Sequence, residues 1–158
     1  MVTIFIPRVA LEELRKRAER AGVSLEEYIV EISLEELDPS SKAEKYIKAA
    51  LELLEEAKAE LQEGNLRQAS EKIWGAAALA TKAHAYVEEG RRLTSHGELW
   101  DYKTKLAAKL GDWVRDSWNA AVAMHVNFYE GWAGREDVED ALEKVGRLVR
   151  EVLRDVSS

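Results

Sequence analysis

Asp38-Pro39-Ser40-Ser41 decides how this chain is organised, because the hydrophobic pattern changes across it. Proline disfavours helix in the residue before it. Ser41, with Glu44 three residues on, has the capping-box pattern that opens a helix. From this point the apolar residues recur at helical spacing to the end of the chain. The first helix is predicted over about 42–63, with Tyr46, Ile47, Ala50, Leu51, Leu54, Ala57 and Leu61 inside. Gly64-Asn65 stops it. A second, over about 66–88, carries Ile73, Ala76, Ala77, Ala80 and Ala83, and its small residues let neighbouring helices approach closely. Ser95 and Glu98 open a third helix to about 110. A fourth holds Trp113, Trp118 and His125 and ends at Gly131 and Gly134. The last, about 136–155, places Val138, Leu142, Val145, Leu148, Val149 and Val152 on one side. Five helices with short connections predict an antiparallel bundle over residues 39–158.

Before Asp38 the pattern is different. Val2 to Ile6 alternate β-branched and aromatic types and then meet Pro7, which reads as one short strand. Leu11, Leu14, Ala18 and Ala21 follow helical spacing, and Gly22 ends that helix. Ser24 with Glu27 opens another, whose predicted buried stripe is Leu25, Tyr28, Ile29 and Ile32. Residues 1–38 therefore read as a strand-helix-helix arm. A lone strand needs a pairing partner, which predicts a homodimer.

At 46% hydrophobic and 34% charged residues, the chain has the composition of a globular protein rather than a disordered one. The net charge of -7 argues against a broad nucleic-acid-binding surface, which relies on cations meeting phosphates. The absence of cysteine excludes disulfides, thiolate metal sites and a cysteine nucleophile. There is no apolar run of membrane-spanning length and no signal-peptide pattern, so the cytoplasm is expected and a membrane is not. Amides are few (Gln62, Gln68, Asn65, Asn119 and Asn127), while Glu, Lys and Arg abound, which suggests a thermophilic source.

Three segments of the bundle stand out: Leu61-Gln62-Glu63-Gly64-Asn65-Leu66-Arg67-Gln68-Ala69 running into Glu71-Lys72-Ile73-Trp74-Gly75-Ala76-Ala77; Ser95-His96-Gly97-Glu98-Leu99-Trp100; and His125-Val126-Asn127-Phe128-Tyr129-Glu130. Through them the bundle resembles the archaeal PaREP-type helical family and, more distantly, the HEPN superfamily. The likeness covers residues 42–155. The closer family implies a fold without an established activity. The wider superfamily implies dimeric bundles, with RNA cleavage, toxin roles or partnership with a small nucleotidyltransferase. Residues 1–37 resemble a ribbon-helix-helix module, whose paired strands enter the DNA major groove. Here only Thr3 is polar within the strand, and five basic residues face nine acidic ones up to Asp38. DNA binding is therefore the less favoured reading.

The HEPN likeness implies an arginine five to seven residues before the catalytic histidine. Counting back from His125 gives Ala120, Asn119 and Trp118. Arg115 stands ten residues before it, about 15 Å along a helix. If His125 is an acid–base group in a metal-independent ribonuclease, its candidate helpers are Arg115, Asn119 and Tyr129, across a dimer cleft. The competing reading is structural. Val114, Trp118, Ala121, His125, Phe128 and Trp132 form one core-facing seam, with Tyr129 a hydrogen-bond partner in either case. Arg91, Arg92 and His96 form the one local cationic cluster beside a helix N-terminus, a candidate anion site. His84 and Glu88 read as a surface pair. The five tryptophans are expected to fill the core, with one or two lining a groove or interface. No histidine has a Glu three residues before it, and no phosphate loop or nucleophile elbow is present, so neither metal nor cofactor is expected. The favoured function is a non-catalytic binding or assembly module, of toxin–antitoxin or nucleotidyltransferase-associated type, with RNA or protein as partner.

Overall fold

A computed structural model describes residues 2–158. Its elements are α1 (Arg8–Ala21), α2 (Leu25–Ser33), α3 (Pro39–Gln62), α4 (Leu66–Glu89), α5 (His96–Leu110), α6 (Trp113–Glu130) and α7 (Arg135–Val156). The all-α class expected from the spacing holds, and the helices lie where the apolar period places them.

α4 is the hub and packs against α2, α3, α5, α6 and α7. Its residues from Ile73 to Tyr86 are all buried, so it is enclosed on every side. A helix apolar all round can satisfy itself only in the interior, and the alanine run allows the approach. Gly75 marks a close approach: a Cβ there would lie at an ordinary 3.5 Å from Ser24 Oγ but 3.2 Å from Leu53 Cδ1, so α3 would have to give slightly.

Two expectations need correcting. The strand does not form: residues 2–7 have no regular structure, and among the described residues there is no strand at all. A strand's N–H and C=O groups need a ladder partner, and among the described residues no other segment pairs with this one. The helices match the expected number, two before Asp38 and five from Pro39 on, but the strand that was to lead the arm is absent among the described residues. Among the described residues α4 is the enclosed helix, with α2, α3, α5, α6 and α7 packed around it. The stripe expected on α2 is also only half-buried, with Ile32 exposed, and the one fully buried side chain of that helix is Glu27.

The caps explain part of this. Asp38, not Ser41, caps α3: its carboxylate accepts from Ser41 N–H at 3.0 Å, and Pro39 takes the first helical position, where a missing N–H costs nothing. Ser24 caps α2 as predicted, accepting from Glu27 N–H at 3.1 Å. The Glu27 side chain, however, does not turn back to Ser24. It accepts from Lys82 of α4 at 2.7 Å, and Glu31 meets the same ammonium. Lys72 of α4 adds a contact to Glu26 at 3.5 Å. Charged residues thus fasten α2 to α4.

Candidate functional site

The three segments that carry the family likeness are far apart in the chain and meet at one place. Trp74 of α4 lies at its centre. His125 of α6 stacks on the indole, with ring centroids 5.0 Å apart and planes 28° apart. His96, at the start of α5, meets Trp74 edge-on at 5.3 Å and His125 at 5.2 Å. Tyr129, one turn beyond His125, contacts it edge-on at 5.6 Å. Trp118 closes the buried side at 5.4 Å from Trp74.

Polar contacts orient both imidazoles. His125 Nδ1 lies 3.2 Å from Glu71 Oε1, one turn before Trp74 on α4. A carboxylate only accepts, so Nδ1–H donates and, in the neutral ring, Nε2 keeps its lone pair. The His125 side chain is 19% exposed and that of Glu71 only 7%. His96 Nε2–H donates to the carbonyl of Gly22. Gly22 caps α1 in the left-handed conformation, φ 71°, and a Cβ there would lie 3.0 Å from His96 Nε2. The α1–α2 turn therefore rests on the histidine cluster. Beside it, α1, the start of α2, α4 and the end of α6 enclose a cleft of about 290 Å³. Arg15, Glu19, Glu26, Gln68, Glu71 and Tyr129 line it. Burial, then the charges of Glu71 and Glu19, push the Tyr129 phenol above its ordinary range.

Other motif residues hold this frame. Arg67 donates from Nε and Nη2 to the carbonyls of Phe128 and Tyr129, each at 2.7 Å, and so caps α6. Gly131 ends α6 at φ 66°, where a Cβ would lie 3.2 Å from Arg67 Cδ. The buried Asn127 donates to Ser70 Oγ at 2.9 Å and accepts from Ala133 N–H at 2.7 Å.

Of the residues singled out in the sequence, the structure brings His125, Tyr129 and His96 together. Arg115 and Asn119 lie elsewhere. Arg115 is exposed, 3.9 Å from Asp112. Asn119 sits about 120° around α6 from His125, in a groove with Trp132, Asp137 and Lys144. Arg91 pairs with Glu89 at 3.4 Å and Arg92 approaches Glu31 at 3.9 Å, so each faces a carboxylate and neither joins His96. Of the tryptophans, Trp74 and Trp118 are buried, whereas Trp100 and Trp132 are exposed. Glu71 was missed. It lies inside a quoted motif, but nothing local marks it as the partner of a residue on another helix.

His84 corrects the sequence reading. It is buried, with Nε2 2.7 Å from Asp155 Oδ2 and Nδ1 2.7 Å from Tyr102 Oη. It ties α4 to α5 and to the end of α7. His84, Glu88 and Asp155 have donor atoms close enough to hold a metal ion. Lys109 occupies that position, 2.9 Å from Asp155 and also paired with Glu88.

No curated protein and no solved structure matches the chain. The model of the archaeal PaREP1/PaREP8 family does match, over residues 45–149, a span holding all the residues of the Trp74 cluster, and the chain belongs to that family.

Proposed function

We propose that this PaREP-family protein is a non-catalytic binding and assembly module, working as a homodimer joined through its arm. In this reading residues 1–38 are the arm and 39–158 the bundle. The position of the unburied apolar surface carries the proposal. Val2, Ile4, Phe5, Val9, Ile32 and Leu37 are all exposed, Phe5 at 99%. Apolar side chains left exposed at this density along one segment of chain suit an interaction surface. A second copy suits it, because two identical segments can supply each other's missing ladder in antiparallel register. The assembled protein is cytoplasmic and of thermophilic type; no helix among the described residues is long and apolar enough to cross a membrane. Its further partner is an RNA or a protein, in a toxin–antitoxin or nucleotidyltransferase-associated setting. DNA binding by the arm is the weaker alternative, since its basic residues are outnumbered five to nine. Sedimentation equilibrium of the full chain beside Phe5→Asp tests the proposal. A dimer that becomes a monomer in the variant supports it; a wild-type monomer at high concentration refutes it.

One observation favours a second reading, a metal-independent ribonuclease. Glu71 holds His125 at Nδ1 and leaves Nε2 for acid–base work, with His96 beside it. Against it, Arg115 and Asn119 are remote and the adjoining cleft is rich in carboxylates, which repel a phosphate backbone. RNA cleavage without added metal, lost in His125→Ala, would establish this reading in place of the first.

A further inference from the structure

We propose that the cleft beside the histidine cluster binds an alkylammonium group, with Glu71 as its anchoring carboxylate. The cleft lies between arm and bundle, with Arg15, Glu19 and Glu26 on the arm side and Glu71, Phe128 and Tyr129 on the bundle side.

The argument begins with Glu71. Its side chain is more than nine-tenths buried, yet among the described residues it accepts one hydrogen bond, at Oε1 from His125 Nδ1–H at 3.2 Å. No hydrogen bond reaches Oε2 among the described residues, and Glu71 lines the cleft. Oε2 is not sealed in the core, so a carboxylate held by an imidazole on one oxygen keeps the other free for a ligand in the cleft. An ammonium entering the cleft would meet it there.

The other walls suit the same chemistry. Phe128 and Tyr129 stand edge-to-face at 4.9 Å and line one side, and aromatic surface attracts a cationic nitrogen. Glu19 lines the cleft from α1, and its charge with that of Glu71 acts on the Tyr129 hydroxyl. Glu26 is occupied by Lys72 at 3.5 Å. Arg15 is the one cation in the lining; it is exposed on α1. An anionic ligand would meet Glu71 and Glu19 for that single arginine, so charge selects against it. A cleft of about 290 Å³ admits a short chain or one side chain, not a folded surface. The ammonium can come from a free polyamine or from a lysine side chain of a partner.

Calorimetric titration of the full-length protein with putrescine and, separately, with Nα-acetyl-lysine amide tests the site, with 1-butanol as the uncharged control. Saturable binding of an amine but not of butanol is expected, weakened about tenfold or more by Glu71→Gln. The His125 ring resonances should shift on binding, because both groups share Glu71. Tighter binding of putrescine identifies a free polyamine as the source, and tighter binding of the lysine derivative a partner's side chain. Glu19→Gln and Tyr129→Leu alter exposed residues, so they should weaken binding even if Glu71→Gln fails to fold. The proposal is overturned if neither amine binds, if butanol binds equally well, or if folded Glu71→Gln, or both exposed variants, bind like wild type.

Discussion

His84 and His125 have the same kinds of neighbour and opposite fates. Each has a carboxylate on one ring nitrogen and an aromatic ring close by. His84 is 3% exposed and both its nitrogens are engaged, by Asp155 and by Tyr102. The His125 side chain is 19% exposed and bonded only at Nδ1. The sequence suggests the reverse: His84 lies near a helix end with Glu88 one turn on, whereas His125 falls in an apolar seam. That seam is buried at Val114, Trp118 and Ala121, but by His125 it has reached the edge of the core. Helical spacing fixes which face a residue occupies, not how deep its neighbours leave it. His84 is thus a structural tie between helices, whereas His125 keeps Nε2 free of hydrogen bonds among the described residues.

The largest effect expected from this contrast is on stability. His84→Ala leaves Asp155 and the Tyr102 hydroxyl without their partner in a closed site, and should cost about 3 kcal/mol in urea unfolding. His125→Ala removes a half-open contact and should cost about 1 kcal/mol. Equal losses would erase the distinction.

Acid sharpens the contrast between tied and strained carboxylates. Burial acts against the charge of Asp155, but Lys109 and His84 outweigh it and hold its carboxyl below the ordinary range. Its stabilising contribution is present above about pH 4 and is lost as pH falls through the lower native value. Asp155→Asn should flatten the acid limb of the stability profile. Glu27 has the opposite sign. Burial, opposed by Lys82, pushes its carboxyl up, so its ionisation weakens the fold as pH rises from the ordinary range through the higher native value. Glu27→Gln keeps Glu31 as the counter-ion of Lys82. It should be more stable than wild type by up to about 1 kcal/mol at neutral pH, with the advantage gone in acid. Loss of stability at neutral pH would contradict this.

The smallest effects are expected where the sequence placed helpers for His125. Arg115→Ala and Asn119→Ala lie away from the cluster, so each should change stability by within about 0.5 kcal/mol and leave the His125 resonances unmoved. A shift in those resonances would return them to the site.

Period and punctuation made the helices legible: Gly22, Gly64 and Gly131 stand at the ends of α1, α3 and α6, and Ser24 and Ser95 open α2 and α5. What stayed hidden depends on partners distant in sequence. Glu27 matches a capping box, yet its side chain goes to Lys82, 55 residues away. Arg67 looks like an ordinary helical arginine until α6 ends over it. Val2 to Ile6 have a strand's alternation, but a strand is a property of two segments and one chain offers only one. The candidate site was half legible: His125, His96 and Tyr129 were singled out, whereas Trp74 and Glu71 join them only through the packing of α4 on α6.

Site-resolved carbethoxylation of the folded protein, read by mass spectrometry, tests the contrast most directly, because the reagent needs an accessible imidazole nitrogen with a lone pair. Rapid modification of His125 with His84 protected until unfolding is the expected result. Modification of His84 as fast as His125, or inertness of both, would contradict the assignment of one histidine to the frame and the other to the site.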